Sequence, residues 1–464
     1  MASSRDRILH SPHDPVIFEG TIPYDPQEDE EDETEDRLEV PLIERKGATV
    51  SATWTLMNFL RGMIGPGCLS LPVAFKQAGL WAGIVLIFVI GFLNTHCMMM
   101  LVHCAQYLCD KSGKLELDYG HLAKKAVDYG PEKWRPHSRI ALYITNAVIT
   151  AYQIGICSVL FVFMSSHVKE VFEHYDTQVS LSMQVYLAIL LIPVILVTYI
   201  RSLALLAVLS TIGNFLMVLD FIIIFQEIVS KRSLVAELPS VTDPLGVVLA
   251  SGSILYSFEG QAMILPMENK MSEPSSMIGW NGVLTTGMAL VTCIYTATGF
   301  FGYSAYGTQV EGSITLNLPN TVIYEIVKLI LVVVVYISYA IQAFVIVEML
   351  WPAIRRKPLR GYEALHLFLE YVFRTVLVIF TFVLAVAVPK LELIIPLVGV
   401  TAGMLLAFIF PPIIETITYW DDWRAEQSKL FVGAHLAKNG FLIALGVVGL
   451  IVGIYSNALQ IMAQ

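Results

Sequence analysis

The chain has 464 residues, of which 56% are apolar and only 15% are charged, and its formal net charge is −10. Ordinary soluble domains carry about 25% charged residues, so this composition excludes a typical soluble protein and favours a membrane protein. Most of the negative charge lies in the first 48 residues, so it implies neither a basic partner nor a nucleic acid.

Residues 1–48 form an acidic tail that contains the sequence EDEEDETED at positions 28–36. A segment with so few aromatic residues cannot bury enough surface to offset the entropy of ordering, which predicts a disordered cytosolic tail. Within it, EVPLI (residues 39–43) loosely resembles an acidic dileucine signal, so cytosolic sorting or signalling proteins are candidate partners. Residues 49–464 are predicted to form one transmembrane transporter domain surrounded by lipid.

Apolar stretches of about 20 residues recur along the rest of the chain, and a helix of that length crosses the hydrocarbon core of a bilayer. This pattern predicts an all-α polytopic membrane protein with eleven transmembrane helices. The predicted spans are residues 50–73, 80–108, 139–167, 181–200, 203–229, 244–266, 281–305, 321–349, 371–388, 392–414 and 438–460.

The lysine and arginine residues between the predicted spans are distributed unevenly. With the tail and every second loop on one side, that side carries 21 of them and the opposite side carries 5. Positively charged loops stay in the cytosol, so the bias predicts a cytosolic N-terminus. Because the number of spans is odd, the C-terminus is predicted to be extracellular or lumenal.

The first span contains the sequence GMIGPGCLSLP at positions 62–72, which an unbroken helix in lipid would not tolerate. Proline removes a backbone donor and glycine accepts unusual dihedral angles, so Gly65, Pro66 and Gly67 predict an interruption. Broken backbone survives at membrane depth only where protein or a water-filled cavity surrounds it. The freed amide groups are therefore predicted to bind a substrate carboxylate.

A second interruption is predicted in the sixth span, where SGSILYSFEGQAMILPMENK contains Gly260 and an acid, Glu259. Two interrupted helices, five spans apart, are typical of a five-plus-five inverted-repeat secondary transporter with a central site. In this interpretation the sixth span presents carbonyl groups to the amino group of the substrate, and the eleventh span is an addition.

These motifs resemble those of the proton-assisted (proton-coupled) amino acid transporter family, within the amino acid/auxin permease group. The likeness rests on GMIGPGCLSLPVAFKQAG, FEGQAMILPMENKM and GSITLNLPN, and it covers nearly all of the chain after residue 48. The resemblance implies import of small neutral amino acids toward the cytosol, from outside the cell or from the lysosomal lumen. No cofactor and no metal site is expected.

One departure from the family concerns ion coupling. Proton-coupled members usually have a histidine seven residues before the first glycine of the break, but here that position is Asn58, which cannot titrate. Arg61 and Asp220 are ionisable residues inside predicted spans, and such residues need a functional or structural reason. We expect Asp220, alone or paired with Arg61, to replace the histidine; a buried structural ion pair is the alternative.

Four further residues are candidates for the wall of the site. Tyr152 in the third span and Phe258 beside the second interruption are predicted to close over the substrate. Glu259 is expected either to bind the amino group or to cap a helix end. Ser338 in the eighth span, near Tyr339 and Gln342, is a candidate oxygen ligand for a cation.

Several functions remain open on the sequence alone. The leading prediction is secondary active transport of small neutral amino acids by alternating access, coupled to protons. The alternatives are a sodium-coupled or uncoupled carrier, and an amino acid sensor that signals through its tail. An enzyme is disfavoured because no catalytic motif is present, and the sequence does not distinguish the plasma membrane from the lysosomal membrane.

Overall fold

The structure is a computed structural model that describes residues 50–113, 116–175, 181–258, 260–355, 363–426 and 428–462. The predicted tail and Glu259 lie outside the described residues. The helices in chain order are α1 (Ala52–Met63), α2 (Pro66–Ala78), α3 (Leu80–Ser112), α4 (Tyr119–Asp128), α5 (Ser138–Tyr175), α6 (Met183–Thr198), α7 (Leu203–Ser230), α8 (Pro244–Ser257), α9 (Gln261–Glu268), α10 (Val283–Tyr306), α11 (Val322–Arg355), α12 (Glu363–Ala387), α13 (Leu391–Val398), α14 (Phe410–Thr418), α15 (Trp420–Glu426) and α16 (Lys429–Met462).

Within the described ranges, nine helical segments are long and apolar enough to cross a membrane, the interrupted segment Pro244–Glu268 being counted as one. This confirms an all-helical membrane protein. The predicted number of eleven spans is not established, because α6 has 16 residues, α1 has 12 and α2 has 13. Each is shorter than the ~20 residues that a straight span needs.

Both predicted interruptions are present in the backbone. Helix α1 ends at Met63, Ile64 and Gly65 are extended, and α2 begins at Pro66. Proline suits this place because the first N–H groups of a helix have no partner within it. The second interruption separates Ser257, the last residue of α8, from Gln261, the first residue of α9.

Helix α10 packs against α1 and α2, the helices on either side of the first interruption, and also against α3. A Cβ atom on Gly299 would lie 2.3 Å from the Phe75 ring of α2, so only glycine allows the two helices to approach this closely. Phe75 is fully buried there. The half-helix after the break is therefore held firmly against the helix bundle.

Helices α13 and α14 are joined by two π-helical turns, Gly399–Gly403 and Leu405–Ile409. The whole segment from Leu391 to Thr418 is mostly buried inside the protein. Its first π turn packs against α8, where the Gly399 and Gly252 backbones cross. This buried segment supports α8, the helix that leads into the second interruption.

Candidate functional site

A cavity of about 200 Å³ lies where the two interruptions meet. Helices α1, α2, α5, α7, α8, α9 and α11 all contribute to its wall. The lining residues are Arg61, Gly62, Met63, Ile64, Gly65, Pro66, Gly67, Ile156, Leu160, Asn214, Met217, Tyr256, Ser257, Met263, Val334, Ser338, Ile341 and Gln342.

The structure places five of the predicted site residues on this wall: Gly65, Pro66, Gly67, Arg61 and Ser338. The first three form the start of α2, where Gly65 is the N-cap residue and supplies no side chain to cap the helix. The first amide groups of α2 therefore begin at the cavity. Pro66 has no N–H and the Cys68 N–H donates to the Gly65 carbonyl oxygen at 3.0 Å, so an anion placed there meets the Gly67 N–H and the positive end of the helix dipole.

Tyr152 and Phe258, by contrast, do not line this cavity. Tyr152 is buried one turn before Ile156 on α5, and its ring lies 3.5 Å from where a Cβ atom of Gly403 would be. The Phe258 side chain is fully buried, and its ring centroid lies 4.9 Å from that of Tyr295 on α10. Both rings support the site from outside instead of closing over it.

Gly260 and Asn58 are also absent from the cavity wall. A Cβ atom on Gly260 would lie 2.7 Å from the Met98 side chain of α3 and 3.1 Å from that of Met63, so this glycine faces packed methionines. The side chain of Asn58 is exposed, one turn before Arg61 on α1. Asn58 therefore lies before the cavity along the chain and does not touch the space at the break.

The two interruptions are joined by a residue that the sequence analysis did not identify. The Tyr295 hydroxyl of α10 lies 2.6 Å from the carbonyl oxygens of both Met63 and Ser257, the last residues of α1 and α8. It can donate to either one. Carbonyls at a helix end have no partner within the helix, so this fully buried hydroxyl, with its single hydrogen, satisfies one of the two orphan acceptors at a time.

A second polar contact holds the sixth-span interruption from the side of α3. The fully buried Asn94 donates its amide to the carbonyl oxygen of Phe258 at 3.2 Å, and Gln261 donates to the Asn94 side-chain oxygen. For both Tyr295 and Asn94, the signal available in the sequence was a polar residue within an otherwise apolar predicted span. Their partners depend on the tertiary structure.

The half-helices α2 and α8 also touch directly. The Ser257 hydroxyl lies 2.8 Å from the carbonyl oxygen of Gly67 and 2.9 Å from that of Ser253. A Cβ atom on Gly67 would lie 3.0 Å from the Ser257 Cα atom, so a larger residue would require the two backbones to move apart by a few tenths of an ångström. Gly67 thus favours the close approach of the two interruptions.

The wall of the cavity carries little charge. Among its lining residues, all of them described, Arg61 is the one ionisable group of either sign apart from the phenol of Tyr256. Polar groups come from Asn214, Ser338 and Gln342; the Ser338 hydroxyl donates to the Val334 carbonyl oxygen at 3.0 Å. Such a wall suits a small neutral or zwitterionic ligand and not a polyanion.

Asp220 lies outside the cavity wall, in α7 three residues after Met217. Its side chain is fully buried, and neither carboxylate oxygen has a hydrogen-bond partner among the described residues. The predicted pairing with Arg61 does not occur in the part of the chain that the structure covers. The alternative of a buried structural ion pair is likewise not supported there.

Comparison with known proteins identifies the family of the chain. The family described as "Transmembrane amino acid transporter protein" matches residues 48–458. The "Probable amino acid transporter skat-1" of Caenorhabditis elegans is 35% identical over 422 residues, covering 89% of this chain and 90% of that protein. The "Proton-coupled amino acid transporter-like protein pathetic" of Drosophila melanogaster is 31% identical over 405 residues, covering 86% and 83%. The chain therefore belongs to the transmembrane amino acid transporter family, within the amino acid/auxin permease group, and is an integral membrane protein and not an enzyme.

Proposed function

We propose that the protein is a secondary active transporter of small neutral amino acids, which binds its substrate in the cavity between the two interruptions. Transport is coupled to protons and moves the substrate toward the cytosol by alternating access. The observation that carries this proposal is the cavity itself, because two half-helix ends and an almost uncharged wall meet there.

The two ends of an amino acid have separate partners at this site. The start of α2 at Pro66 offers amide groups and a positive helix end to the carboxylate, and Arg61 lies on the same wall. At the carbonyl ends of α1 and α8, the Met63 and Ser257 oxygens share the single hydrogen of the Tyr295 hydroxyl, so each keeps a lone pair that can accept from the ammonium group. A zwitterion is therefore the ligand class that matches both half-helices.

The size of the cavity favours a short side chain. Pockets for drug-sized ligands measure about 300–1,000 Å³, and this cavity measures about 200 Å³. Ile156, Leu160, Met217 and Val334 make part of its wall apolar. We expect alanine and proline to be better substrates than tryptophan.

Proton coupling is supported by the Drosophila relative, whose name describes it as proton-coupled and whose sequence is 31% identical to this one. Asn58 rules out coupling through a histidine at that position, which keeps sodium as the alternative driving ion. The lysine and arginine bias supports a cytosolic N-terminus. Eleven spans arranged as two inverted five-helix repeats would place both interruptions at the centre, in either the plasma or the lysosomal membrane.

The proposal is tested with the purified full chain in liposomes. Uptake of labelled alanine, proline and tryptophan is measured under an inward proton gradient, an inward sodium gradient, and no gradient. We expect proton-driven accumulation of alanine and proline above the level of empty vesicles. If accumulation requires sodium, then sodium and not the proton is the coupled ion. Saturable binding without accumulation under any gradient would contradict active transport.

A glycine substitution tests whether the cavity is the transport site. We expect Gly67→Ala to abolish most alanine uptake, because its Cβ atom would lie 3.0 Å from the Ser257 backbone. Gly440→Ala in α16 is the matched control, since a Cβ atom there meets nothing within 4 Å. Normal uptake by Gly67→Ala protein would place the substrate elsewhere.

A sensor is a second candidate because the first described residue after the acidic tail is hydrogen-bonded to the folded part of the protein. Val50, the first described residue, donates its N–H to the Lys270 carbonyl oxygen at 2.9 Å and accepts from Ser272 N–H at 3.0 Å. The acidic tail therefore joins the folded part beside the end of α9. Deletion of residues 1–48 should leave alanine uptake intact in a pure carrier, whereas a sensor would lose cytosolic signalling and keep alanine binding.

A further inference from the structure

We propose that Asp220 is the group that binds and releases the coupled proton, an assignment that rests on the proposed function of proton-driven transport. The role follows from its place beside the cavity, its complete burial and its lack of partners. Asn58 occupies the position of the family's histidine and cannot perform this role.

Asp220 lies on the face of α7 that adjoins the substrate cavity. Residues three or four apart share one face of a helix, and Met217, three residues before Asp220, lines the cavity together with Asn214. Ile224, four residues further along, is also buried. The carboxyl group is therefore less than one helical turn beyond the cavity wall, on the same inward-facing side.

The surroundings of Asp220 favour the protonated acid. An ionised carboxylate loses its hydration on burial, and this cost is recovered only through a cation or hydrogen-bond donors. Both oxygens of Asp220 lack such a partner in the described part of the protein. A neutral carboxylic acid tolerates this environment far better, so the arrangement seen in this structure holds the proton.

Charged groups on the neighbouring elements are engaged elsewhere. Helix α7 packs against α10 and α11, and α10 contains no Asp, Glu, Lys, Arg or His. On α11, Lys328 pairs with Glu170 at 2.5 Å and Glu325 lies 3.3 Å from the His174 ring, while Glu348 is exposed.

Most of the other titratable groups on α7, α10 and α11 also have partners of their own. Glu227, on α7 itself, accepts from the Tyr324 hydroxyl at 2.5 Å and lies 3.8 Å from Lys231. Four tyrosines of α10 and α11 direct their hydroxyls to other groups: Tyr295 to Met63 and Ser257, Tyr324 to Glu227, Tyr336 to Pro193, and Tyr339 to Thr381. The buried Tyr306 hydroxyl has no hydrogen-bond partner among the described residues, and Cys293 is exposed. Titration of Asp220 therefore depends on water reaching it and not on a fixed charged neighbour.

This geometry gives a simple coupling step. When the cavity opens to one side, water reaches the carboxyl group beyond Met217, and the acid can lose its proton to that side. Return to the arrangement seen in this structure, in which the carboxyl group is buried, removes the water and requires the carboxylate to take up a proton first. One proton binds to one carboxylate oxygen and leaves from it in each cycle, and no other bond changes.

The test compares Asp220→Asn with the wild-type full chain in liposomes. Asparagine has nearly the shape of the protonated acid but cannot exchange a proton. We expect proton-driven alanine accumulation to fall to the level of empty vesicles. Alanine-induced acidification, read from a trapped pH dye, should disappear as well. Counterflow of labelled against unlabelled alanine at equal pH should remain measurable, because it needs no net proton movement.

Two further variants keep the test decisive. Asp220→Glu should restore part of the proton-driven accumulation, and Glu348→Gln, which alters an exposed acid of α11 outside the cavity wall, should keep it. Proton-driven accumulation by Asp220→Asn equal to that of the wild type would overturn the assignment. Loss of counterflow together with unchanged alanine-induced acidification in Asp220→Asn would also overturn it. Absence of proton-driven uptake in the wild type would instead reject the proposed function.

Discussion

Two buried acids in this protein have opposite surroundings. Glu370 of α12 accepts from Arg374 at 2.8 and 3.1 Å, and its second oxygen lies 3.1 Å from Arg201. Arg374 in turn donates to the carbonyl oxygen of Thr198 at 2.6 Å. Asp220 of α7 is more deeply buried than Glu370 and has no hydrogen-bond partner among the described residues.

The contrast separates a structural charge from a functional one. The Glu370–Arg374 pair lies within α12 and reaches α6 through the Thr198 carbonyl oxygen, and removing one member of such a buried pair leaves the other charge unsatisfied. A buried acid without partners contributes no such contact and is costly when ionised. Its presence in an apolar span is therefore better explained by a proton that comes and goes than by stability.

The largest expected loss of stability follows from substitution of Glu370. Glu370→Ala would leave the buried Arg374 guanidinium without its carboxylate, which costs roughly 3–5 kcal/mol for a broken buried pair. We expect a clear decrease in the melting temperature of the detergent-purified protein. Double substitution with Arg374→Met should recover part of the loss, and an unchanged melting temperature for Glu370→Ala would show that this pair is not structural.

A smaller loss of stability is expected at Tyr295, whose hydroxyl has hydrogen-bond partners, as Glu370 has, but carries no charge. Tyr295→Phe keeps the ring contact with Phe258 and removes the donor from the carbonyl oxygens of Met63 and Ser257. An unsatisfied buried acceptor costs about 1–3 kcal/mol. The melting temperature should fall less than for Glu370→Ala, and alanine uptake should fall with it.

The matched control for Tyr295 is Tyr339→Phe, which removes a fully buried hydroxyl bonded to Thr381 at 2.6 Å. That hydroxyl touches neither interruption. We expect a similar change in melting temperature but little change in uptake per folded molecule. Equal loss of uptake in both variants would show that Tyr295 has no special part in organising the breaks.

The smallest effect on stability is expected at Asp220. Asp220→Asn removes no hydrogen bond or ion pair of the described residues, so the melting temperature should stay the same or rise slightly. Measurement alongside Glu370→Ala gives the comparison directly. A loss as large as that at Glu370 would mean that Asp220 has a structural partner, and the contrast between the two acids would fail.

Much of the site could be predicted from local chemistry. The Gly65-Pro66-Gly67 sequence cannot continue a helix, so the first interruption follows from the residues alone, as does the charge of Arg61 at membrane depth. The sequence predicted less accurately which side chains of each helix face the cavity. Tyr152 was predicted at the cavity, but Ile156, one turn later on the same face of α5, lies there instead.

Depth along a span explains several such differences. Helix α5 is apolar on most of its surface and α7 on nearly all of it, so neither sequence indicates which turn meets the centre. On α7 the cavity contacts Asn214 and Met217, while Asp220 lies three residues further along the same face. At the second interruption, Tyr256 and Ser257 face the cavity and Phe258 turns toward Tyr295.

Composition, span length and local motifs were enough to identify a helical membrane protein of the amino acid transporter family, with helices that break at two defined places. These properties depend on composition, span length and local backbone chemistry, which act within a few residues. Only the tertiary structure decided that Tyr295 joins the two breaks, that Glu370 is paired and that Asp220 is not. Those relations depend on which faces of distant helices meet, and apolar helices in lipid carry little pattern that encodes this choice.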